Sequence, residues 1–257
     1  MNTPIIILTK ERPLQLRDMI ESIENVTENP YIIICDNGSI QPEMVDLLKN
    51  IGERHSVVYN KENLGFFGLN IGLAMVDTPY FVMSDPDIIM NPETPHNWQD
   101  IFIRVLHDYP CPKVGLALDV SWLPNTTMGN KIRGWEDGWW KNRVEIPFLD
   151  SEAYYACIDT TFAMYRRDTF ECWKDGHLHL SNGNGLVGNH LSQDDYNRAY
   201  SSKPIRIAGK FSAIHTGWDF SEKYASDIEF YKNNCRLEIA STIRGAIENG
   251  IIAYSSN

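Results

Sequence analysis

Short apolar runs alternate with amphipathic segments through the first 120 residues, and this alternation restricts the chain to few folds. The apolar runs predict strands over residues 5–8, 31–35, 56–59 and 80–83. Between them, apolar residues at helical spacing predict helices that begin at Pro13, at Pro42 and near Gly65. Strands that alternate with helices form a parallel sheet covered by helices on both faces. We therefore predict an α/β fold whose ligands bind beyond the carboxyl ends of the strands.

Polar residues follow three of these strands, at the edge where the carboxyl ends of a parallel sheet meet. The three segments are Thr9-Lys10-Glu11-Arg12, Asp36-Asn37-Gly38-Ser39 and Ser84-Asp85-Pro86-Asp87. In a strand, residues i and i+2 point the same way, so Asp85 and Asp87 can converge on one ion. Oxygen ligands favour magnesium, calcium or manganese over zinc. A simple turn is the alternative interpretation, because Asp-Pro-Asp is also typical of turns.

Length and charge narrow the class of protein. The chain has 257 residues, of which 43% are hydrophobic, so it can bury a full core as a single domain. A boundary near residue 120 is expected to separate two functional halves of one fold. The formal net charge of −11 argues against a nucleic-acid polymer as partner, because proteins that bind such polymers depend on a basic surface.

The cysteines and the N-terminus predict a cellular compartment. The five cysteines are scattered, with no Cys-x-x-Cys pair and no zinc-binding spacing, so we expect core thiols in a reducing environment. The first residues do not have the pattern of a signal peptide, and no apolar stretch approaches 18 residues. We therefore expect a cytoplasmic protein without a membrane span.

The second half of the chain follows a less regular pattern. It predicts a helix over residues 98–106, a strand over 114–118 and one strand over 154–165 with polar interruptions. A last short strand over residues 205–208 leads to His215, and a capping box that begins at Ser226 opens a final helix to Asn249. The sequence has no Gly-x-Gly-x-x-Gly after its first strand and no Gly-Lys-Ser/Thr loop, which argues against dinucleotide binding and an ATPase-type phosphate loop.

Together, these motifs resemble those of glycosyltransferases of the GT-A fold, closest to family 2. The matching residues are the strand that leads to Thr9, the segment Cys35-Asp36-Asn37-Gly38-Ser39, the segment Asn63-Leu64-Gly65-Phe66-Phe67-Gly68-Leu69-Asn70, and the acidic pair of the DxD type. The likeness is strong over residues 4–90 and looser over 150–220, where residues 154–163 resemble a subgroup found in bacteria and large DNA viruses. It implies a Rossmann-like nucleotide-binding half (1–120) with a mostly parallel sheet, and a smaller acceptor-binding half (121–257).

The resemblance implies how a UDP- or dTDP-sugar donor is bound. Asp36 would accept a hydrogen bond from N3–H of uracil or thymine, and an Asx turn is the alternative role for this residue. Gly65 and Gly68 would let the backbone approach the nucleotide, unless they serve only as glycines at a helix entry. The expected donor-binding residues are Leu8, Thr9, Lys10, Arg12, Asp36, Asn37, Gly65, Phe66, Ser84 and Asp85.

The metal site follows from the same resemblance. Asp87, helped by Asp85, would hold Mn²⁺ or Mg²⁺ against the donor diphosphate, where the ion neutralises the charge that develops as the nucleoside diphosphate leaves. His215 stands where this fold often supplies a third ligand late in the chain. A structural role is the alternative for this histidine.

An inverting transfer also needs a carboxylate that deprotonates the acceptor hydroxyl. Gln193-Asp194-Asp195-Tyr196 resembles the late acidic pair of the family, which points to Asp194 or Asp195 as the general base. Asp159 is the rival, because an aspartate within an apolar run demands a partner. A structural carboxylate is the alternative role for Asp159. Sugar rings could stack on the tryptophans at positions 135, 139, 140 and 218, although core packing is the simpler role for some of them.

These residues predict a metal-dependent, inverting GT-A glycosyltransferase that moves a sugar from a UDP- or dTDP-sugar to a glycan hydroxyl. A retaining GT-A transferase is an alternative, because the DxD motif does not report stereochemistry. A sugar-phosphate nucleotidyltransferase would share the nucleotide-binding half, but such enzymes usually carry a glycine-rich signature after the first strand. A glycan-binding module on an inactive transferase fold is the non-enzymatic alternative.

Overall fold

The computed structural model describes residues 3–158, 161–167, 179–181, 185–187 and 204–234. Its strands are β1 (Ile5–Thr9), β2 (Ile32–Asp36), β3 (Ser56–Tyr59), β4 (Tyr80–Ser84), β5 (Ile88–Met90), β6 (Lys113–Leu118), β7 (Arg143–Val144), β8 (Ala153–Tyr155), β9 (Ala163–Arg166), β10 (His179–Ser181), β11 (Gly185–Val187) and β12 (Ile205–His215). Its α-helices are α1 (Pro13–Val26), α2 (Pro42–Gly52), α3 (Asn70–Ala74), α4 (Trp98–Asp108), α5 (Thr127–Asp137) and α6 (Ala225–Asn234).

One ten-stranded sheet organises the fold, in the order β3-β2-β1-β4-β9-β6-β12-β8-β7, with β5 paired to β12. The β3-β2-β1-β4 part is parallel throughout, as the alternation of strands and helices predicts. Its register places Thr9 opposite Asp36 and Ile7 opposite Ser84. The carboxyl ends of β1, β2 and β4 therefore lie together at one edge of the sheet.

Helices cover both faces of the parallel part. Ile5 and Ile7 pack on one face with α1, α2 and α4. The residue between them, Ile6, packs on the other face with Leu69 and Leu73 of the segment that follows β3. This segment is a 3-10 helix over Gly65–Leu69 that continues into α3, where the sequence predicts one helix. The alternation of side chains along each strand thus builds two cores, one on each face.

The expected single strand over residues 154–165 is wrong. The structure has two strands there: β8 pairs with β12 and β7, whereas β9 pairs antiparallel with β4 and β6. Because β6 and β12 lie between them in the sheet, β8 and β9 cannot form one continuous strand.

The strand predicted over residues 205–208 is longer in the structure. β12 continues to His215, through Gly209 at φ 64° and a register shift between Ile207 and Ser212. Glycine takes this positive φ without strain, so the strand bends and resumes pairing. His215 therefore belongs to the strand itself and lies opposite Ile88 of β5, next to Asp87.

The helices α5 and α6 lie in the second half of the chain. The sequence pattern does not predict α5, although the Thr126 side chain caps its N-terminus by accepting a hydrogen bond from Gly129 N–H. α6 begins at Ala225, near the predicted start, and the predicted end at Asn249 lies outside the described residues. Within the described ranges, no helix has the length and apolarity needed to cross a membrane.

Candidate active site

The turns that follow β1, β2 and β4 meet at the carboxyl edge of the parallel sheet, as predicted. Asn37 N–H donates to the Thr9 carbonyl at 2.8 Å, which ties the second turn to the first. Thr216 N–H and Oγ1 donate to the Asp87 carbonyl at 2.8 and 3.1 Å. The acidic turn is therefore fixed to the end of β12, and residues from both halves of the chain face one site.

Asp85 and Asp87 do not lie on a strand. β4 ends at Ser84, and both aspartates belong to the turn that leads to β5. Pro86 between them has no N–H for a strand ladder, which explains why the strand stops. Strand alternation therefore does not align the two carboxylates. Asp87 is buried and Asp85 is partly exposed.

A buried ion pair joins the first turn to the acidic turn. Arg12 Nη1 donates to Asp87 Oδ2 at 2.9 Å, and both side chains are largely shielded from solvent. Burial alone would raise the pKa of Asp87, but His215 and Arg12 outweigh it and lower that pKa below its usual value. Burial opposes the charge of Arg12 as well, yet Asp87 raises the pKa of the guanidinium. Both groups are therefore held in their charged forms.

The other carboxylate oxygen of Asp87 faces His215. The distance from Asp87 Oδ1 to His215 Nε2 is 4.0 Å, and this buried oxygen has no hydrogen-bond partner among the described residues. Trp218 stacks on the imidazole, with ring centroids 4.5 Å apart and planes 10° from parallel. A Cβ at Gly217 would lie 2.5 Å from Asp87 Oδ2 and 2.6 Å from His215 Cε1. Gly217, which the sequence interpretation missed, is needed for this arrangement.

The donor set around Asp87 is compatible with a divalent ion. An unpartnered carboxylate oxygen and an imidazole nitrogen are ligands that manganese and related ions accept. Asp85 is near enough for its charge to act on Arg12. In the described part of the chain, however, no three carboxylate, imidazole or thiol groups lie close enough to form a metal cluster. The set Asp85, Asp87 and His215 therefore stays a prediction.

Asp36 makes a local turn contact with Ser39, three residues further along the chain, whereas an Asx turn would join it to the residue two positions on. Its carboxylate accepts hydrogen bonds from Ser39 N–H at 3.0 Å and from Ser39 Oγ. The side chain is 2% exposed at the carboxyl end of β2. This geometry holds the carboxylate in one orientation, and its contact with a nucleobase stays a prediction.

Asn37 lies within a network of amide groups. Its Nδ2 donates to Gly65 O at 2.7 Å and to Asn63 Oδ1 at 3.1 Å, and its Oδ1 accepts from Asn60 Nδ2 at 3.1 Å. A Cβ at Gly68 would collide with this side chain. Gly68 therefore makes room for Asn37, whereas Gly65 adopts φ 56° at the start of the 3-10 helix.

The remaining expected donor-binding residues line the same edge. Leu8 and Thr9 end β1, and Thr9 Oγ1 is buried without a hydrogen-bond partner in the described ranges. Lys10 Nζ donates to Asn37 O at 3.4 Å. Ser84 Oγ donates to Asp85 O at 2.9 Å. Phe66 lies in the 3-10 helix, and its side chain is outside the described part of the structure.

A comparison with protein-family models decides the family. The model described as glycosyl transferase family 2 matches residues 5–173, which include the three turns and the parallel strands. The chain belongs to this family. It is therefore a glycosyltransferase, as the resemblance implies. A search of curated protein sequences found no significant match.

Solved structures with the same fold include TarS from S. aureus. One TarS structure, of residues 1–349, has a TM-score of 0.53 at 11% identity and aligns over 95% of this chain and 68% of TarS. A second TarS structure has a TM-score of 0.54 at 14% identity, over 99% of this chain and 44% of TarS. A structure of GalNAc-T7 with UDP, GalNAc and Mn²⁺ has a TM-score of 0.48 at 12% identity, over 83% and 43%. This chain therefore spans less than half the length of two of the three. The TarS structures support the GT-A fold.

The candidate general bases of this glycosyltransferase lie outside the described residues. This applies to Asp159, Asp194 and Asp195. The chain just before Asp159 is described, and two buried cations hold it: Arg206 donates to the Cys157 carbonyl and Lys113 donates to the Ile158 carbonyl.

Arg206 also forms a buried ion pair with Glu136. The distance from Arg206 Nη1 to Glu136 Oε2 is 2.6 Å. Burial raises the pKa of Glu136 although Arg206 opposes that shift. Neither Lys113 nor this pair was expected from the sequence, because each side chain finds its partners far along the chain.

The tryptophans of the glycosyltransferase have different surroundings. Trp135 on α5 is 67% exposed. Trp140 packs edge-to-face on Tyr154, with ring centroids 5.1 Å apart, and Trp139 lies beside the Arg206 guanidinium. Trp218 stacks on His215. Among these four, only Trp135 presents most of its surface to solvent, and stacking on a sugar stays a prediction for all of them.

Proposed function

We propose that this glycosyltransferase moves a sugar from a UDP- or dTDP-sugar to a glycan hydroxyl, with inversion at the anomeric carbon and with a divalent metal ion. The observation that carries this proposal is the environment of the buried Asp87 carboxylate. One carboxylate oxygen is buried without a hydrogen-bond partner among the described residues and faces His215 at 4.0 Å, at the edge of the sheet where ligands of such folds bind.

The donor would bind across the three turns. Asp36 would accept N3–H of uracil or thymine, and Gly65 and Phe66 would border the nucleotide. Leu8 and Thr9 end β1 beside Asp36, and Lys10 follows them, which suits contacts with the nucleoside and the diphosphate. The orientation that Ser39 imposes on the Asp36 carboxylate supports this role, since a fixed acceptor discriminates between bases that present a donor and bases that do not.

The leaving group would be stabilised at the acidic turn. Asp87 and His215, with Asp85, would hold Mn²⁺ or Mg²⁺, and the bound ion supplies charge neutralisation for the departing diphosphate. His215 and Arg12 lower the pKa of Asp87 and so keep it ionised, and Arg12 presents a positive charge at the same place. A bound ion together with the Arg12 charge would suit a diphosphate despite the net charge of −11.

The acceptor would be activated by an aspartate of the second half. Asp194 or Asp195, with Asp159 as the rival, would take the proton from the glycan hydroxyl. The hydroxyl oxygen then bonds to the anomeric carbon as the bond from that carbon to the diphosphate oxygen breaks. The bond electrons leave with the nucleoside diphosphate, and the configuration inverts because the hydroxyl attacks from the face opposite to the leaving group.

Three further expectations belong to this proposal. Residues 1–120 and 121–257 would act as the donor and acceptor halves of one domain. Nucleic-acid polymers are not expected as partners. A cytoplasmic location fits the free thiols of Cys35 and Cys111, which lie buried in the described core.

A donor-hydrolysis assay tests the proposal. The protein is incubated with UDP- and dTDP-sugars, with Mn²⁺ or with EDTA, and release of the nucleoside diphosphate is measured. We expect release with Mn²⁺ and loss of release with EDTA. Formation of pyrophosphate from UTP and a sugar 1-phosphate would instead indicate a nucleotidyltransferase, and glycan binding without any donor turnover would indicate a binding module.

A further inference from the structure

We infer that Glu11 is a positioning residue that holds the Asp36 carboxylate in its base-reading orientation and so sets the selectivity of the glycosyltransferase for the donor base. This inference rests on the proposed role of Asp36. Glu11 itself does not contact the bound donor. It acts through Ser39 and the start of α2.

The carboxylate of Glu11 binds the loop that follows Asp36. One oxygen accepts a hydrogen bond from Ile40 N–H at 2.9 Å, and the other accepts one from Gln41 N–H at 3.0 Å. The Glu11 side chain reaches across from the β1 turn and is 1% exposed. Because both N–H groups precede the first turn of α2, a negative charge here is also favoured by the helix dipole.

A second link runs from the Glu11 backbone to Asp36. Glu11 N–H donates to Ser39 Oγ at 2.8 Å, and the same hydroxyl donates to Asp36 Oδ1. Ser39 N–H donates to Asp36 Oδ2 at 3.0 Å. Hydrogen bonds in such a chain polarise one another, so each strengthens the next. Both oxygens of Asp36 are thus oriented by a residue that Glu11 itself orients.

The backbone of the β1 turn explains why Glu11 points to this loop. Glu11 and Arg12 adopt φ 54° and 62°, two consecutive non-glycine residues in the left-handed region. Such conformations are unfavourable for non-glycine residues and persist only where contacts fix them. Here Glu11 is fixed by the loop after β2, and Arg12 is fixed by Asp87. One turn therefore aligns the base-reading loop with the acidic turn.

A selectivity change would follow from the loss of Glu11. Uracil presents an N3–H donor to Asp36, whereas cytosine presents an unprotonated nitrogen at the same position. A carboxylate held in one orientation favours uracil. If the loop relaxes, Asp36 loses this orientation and UDP loses its advantage, while CDP, which gains nothing from Asp36, keeps its affinity.

Calorimetric titration of UDP and CDP in the presence of Mn²⁺ tests this inference. For Glu11→Ala we expect the ratio of CDP to UDP dissociation constants to fall at least about tenfold, mainly through weaker UDP binding. Glu11→Gln keeps one of the two acceptors and should fall between Glu11→Ala and the unchanged protein. Glu43→Ala removes an exposed carboxylate from the first turn of the same helix and should leave the ratio unchanged.

The outcomes separate this inference from the function that it assumes. Equal weakening of UDP and CDP by Glu11→Ala would show a purely structural role and overturn the inference. Asp36→Ala should abolish the selectivity, and if it does not, the base-reading role of Asp36 is wrong. If Glu11→Ala does not fold, Ser39→Ala removes the hydroxyl link alone. An unchanged ratio in folded Ser39→Ala, with selectivity lost in Asp36→Ala, would also overturn the inference.

Discussion

The guanidinium of Arg12 lies 2.9 Å from Asp87 Oδ2, so the acidic turn already carries a cation that the chain itself supplies. The ring of Tyr231 lies beneath this guanidinium, with its centroid 5.3 Å away, and brings α6 to the same place. Together with His215, Arg12 therefore keeps Asp87 charged in a buried environment. It occupies one carboxylate oxygen and leaves the oxygen that faces His215 without a hydrogen-bond partner in the described ranges.

Replacement of Arg12 tests this relationship. Arg12→Gln would leave Asp87 buried without its charge partner, a change that costs about 3–5 kcal/mol in comparable buried pairs. We expect a lower melting temperature without metal, and a larger increase in melting temperature on addition of Mn²⁺ than the unchanged protein shows. Differential scanning calorimetry with Mn²⁺ and with EDTA measures both. An equal Mn²⁺ response in the two proteins would contradict a shared carboxylate.

Gly217→Ala tests the space between Asp87 and His215. The new methyl group would meet both side chains at about 2.5 Å, closer than van der Waals contact allows, so one of them must move. We expect weaker Mn²⁺-dependent binding of UDP in a folded protein, measured by calorimetry. Gly134→Ala on α5 is the matched control, because a Cβ there meets nothing within 4 Å. Unchanged binding in Gly217→Ala would remove the Asp87–His215 arrangement from the donor site.

Asp227 predicts a pH dependence of stability. This aspartate of α6 accepts hydrogen bonds from Leu14 N–H at 2.8 Å and from Gln15 N–H at 3.3 Å at the start of α1. Burial outweighs these contacts and raises the pKa of Asp227 to about 6. Since the unfolded value is about 3.9, the contribution of this group is fully present below pH 4 and is lost as the pH rises through 6.

Asp227→Asn keeps an acceptor for the two N–H groups and removes the titration. Between about pH 4 and pH 6, we expect its free energy of unfolding to rise relative to that of the unchanged protein, and the gain to persist at pH 7.5. Urea unfolding at pH 4, 5, 6 and 7.5 measures this difference. A difference that does not vary with pH would show that Asp227 titrates normally.

The candidate bases predict a loss of turnover. General-base catalysis contributes roughly 100- to 10,000-fold, so the amide of the true base should lower kcat by that order with near-normal donor affinity. We expect this for Asp195→Asn or Asp194→Asn, with Asp159→Asn as the rival. Steady-state kinetics with a glycan acceptor that the enzyme uses measures kcat and the donor KM of each variant. Near-normal transfer by all three variants would favour a retaining mechanism.

The donor half of the fold follows from local patterns in the sequence. Continuous apolar runs predict β1 to β4, and apolar residues at helical spacing predict α1. The structure buries all four of the spaced residues of α1, Leu16, Met19, Ile20 and Ile23. These signals are readable because each involves neighbouring residues. The convergence of the three turns follows from parallel pairing, which the alternation of strands and helices dictates.

Non-local contacts set the limits of sequence interpretation. The places of β8 and β9 depend on which distant strands they join, and β12 continues past Gly209 only because β5 and β6 pair with it. Glu11 and Arg12 are neighbours in one polar segment, but they bind different parts of the site. Glu11 contacts Ser39, 28 residues away, and Arg12 contacts Asp87, 75 residues away, and both contacts depend on positive backbone φ values. Gly217 carries no motif, and its importance is visible only from the side chains around it.

Metal-dependent binding of the nucleotide at Asp87 underlies the proposed mechanism, and a thermal-shift measurement tests it. The melting temperature is recorded with saturating UDP or dTDP, in Mn²⁺ and in EDTA, for the unchanged protein and for Asp87→Asn. A ligand that binds the native state raises the melting temperature. We expect a clear increase with Mn²⁺, a weak one with EDTA, and no metal-dependent increase in Asp87→Asn. Equal increases in Mn²⁺ and EDTA in the unchanged protein would show that Asp87 does not bind the nucleotide through a metal ion.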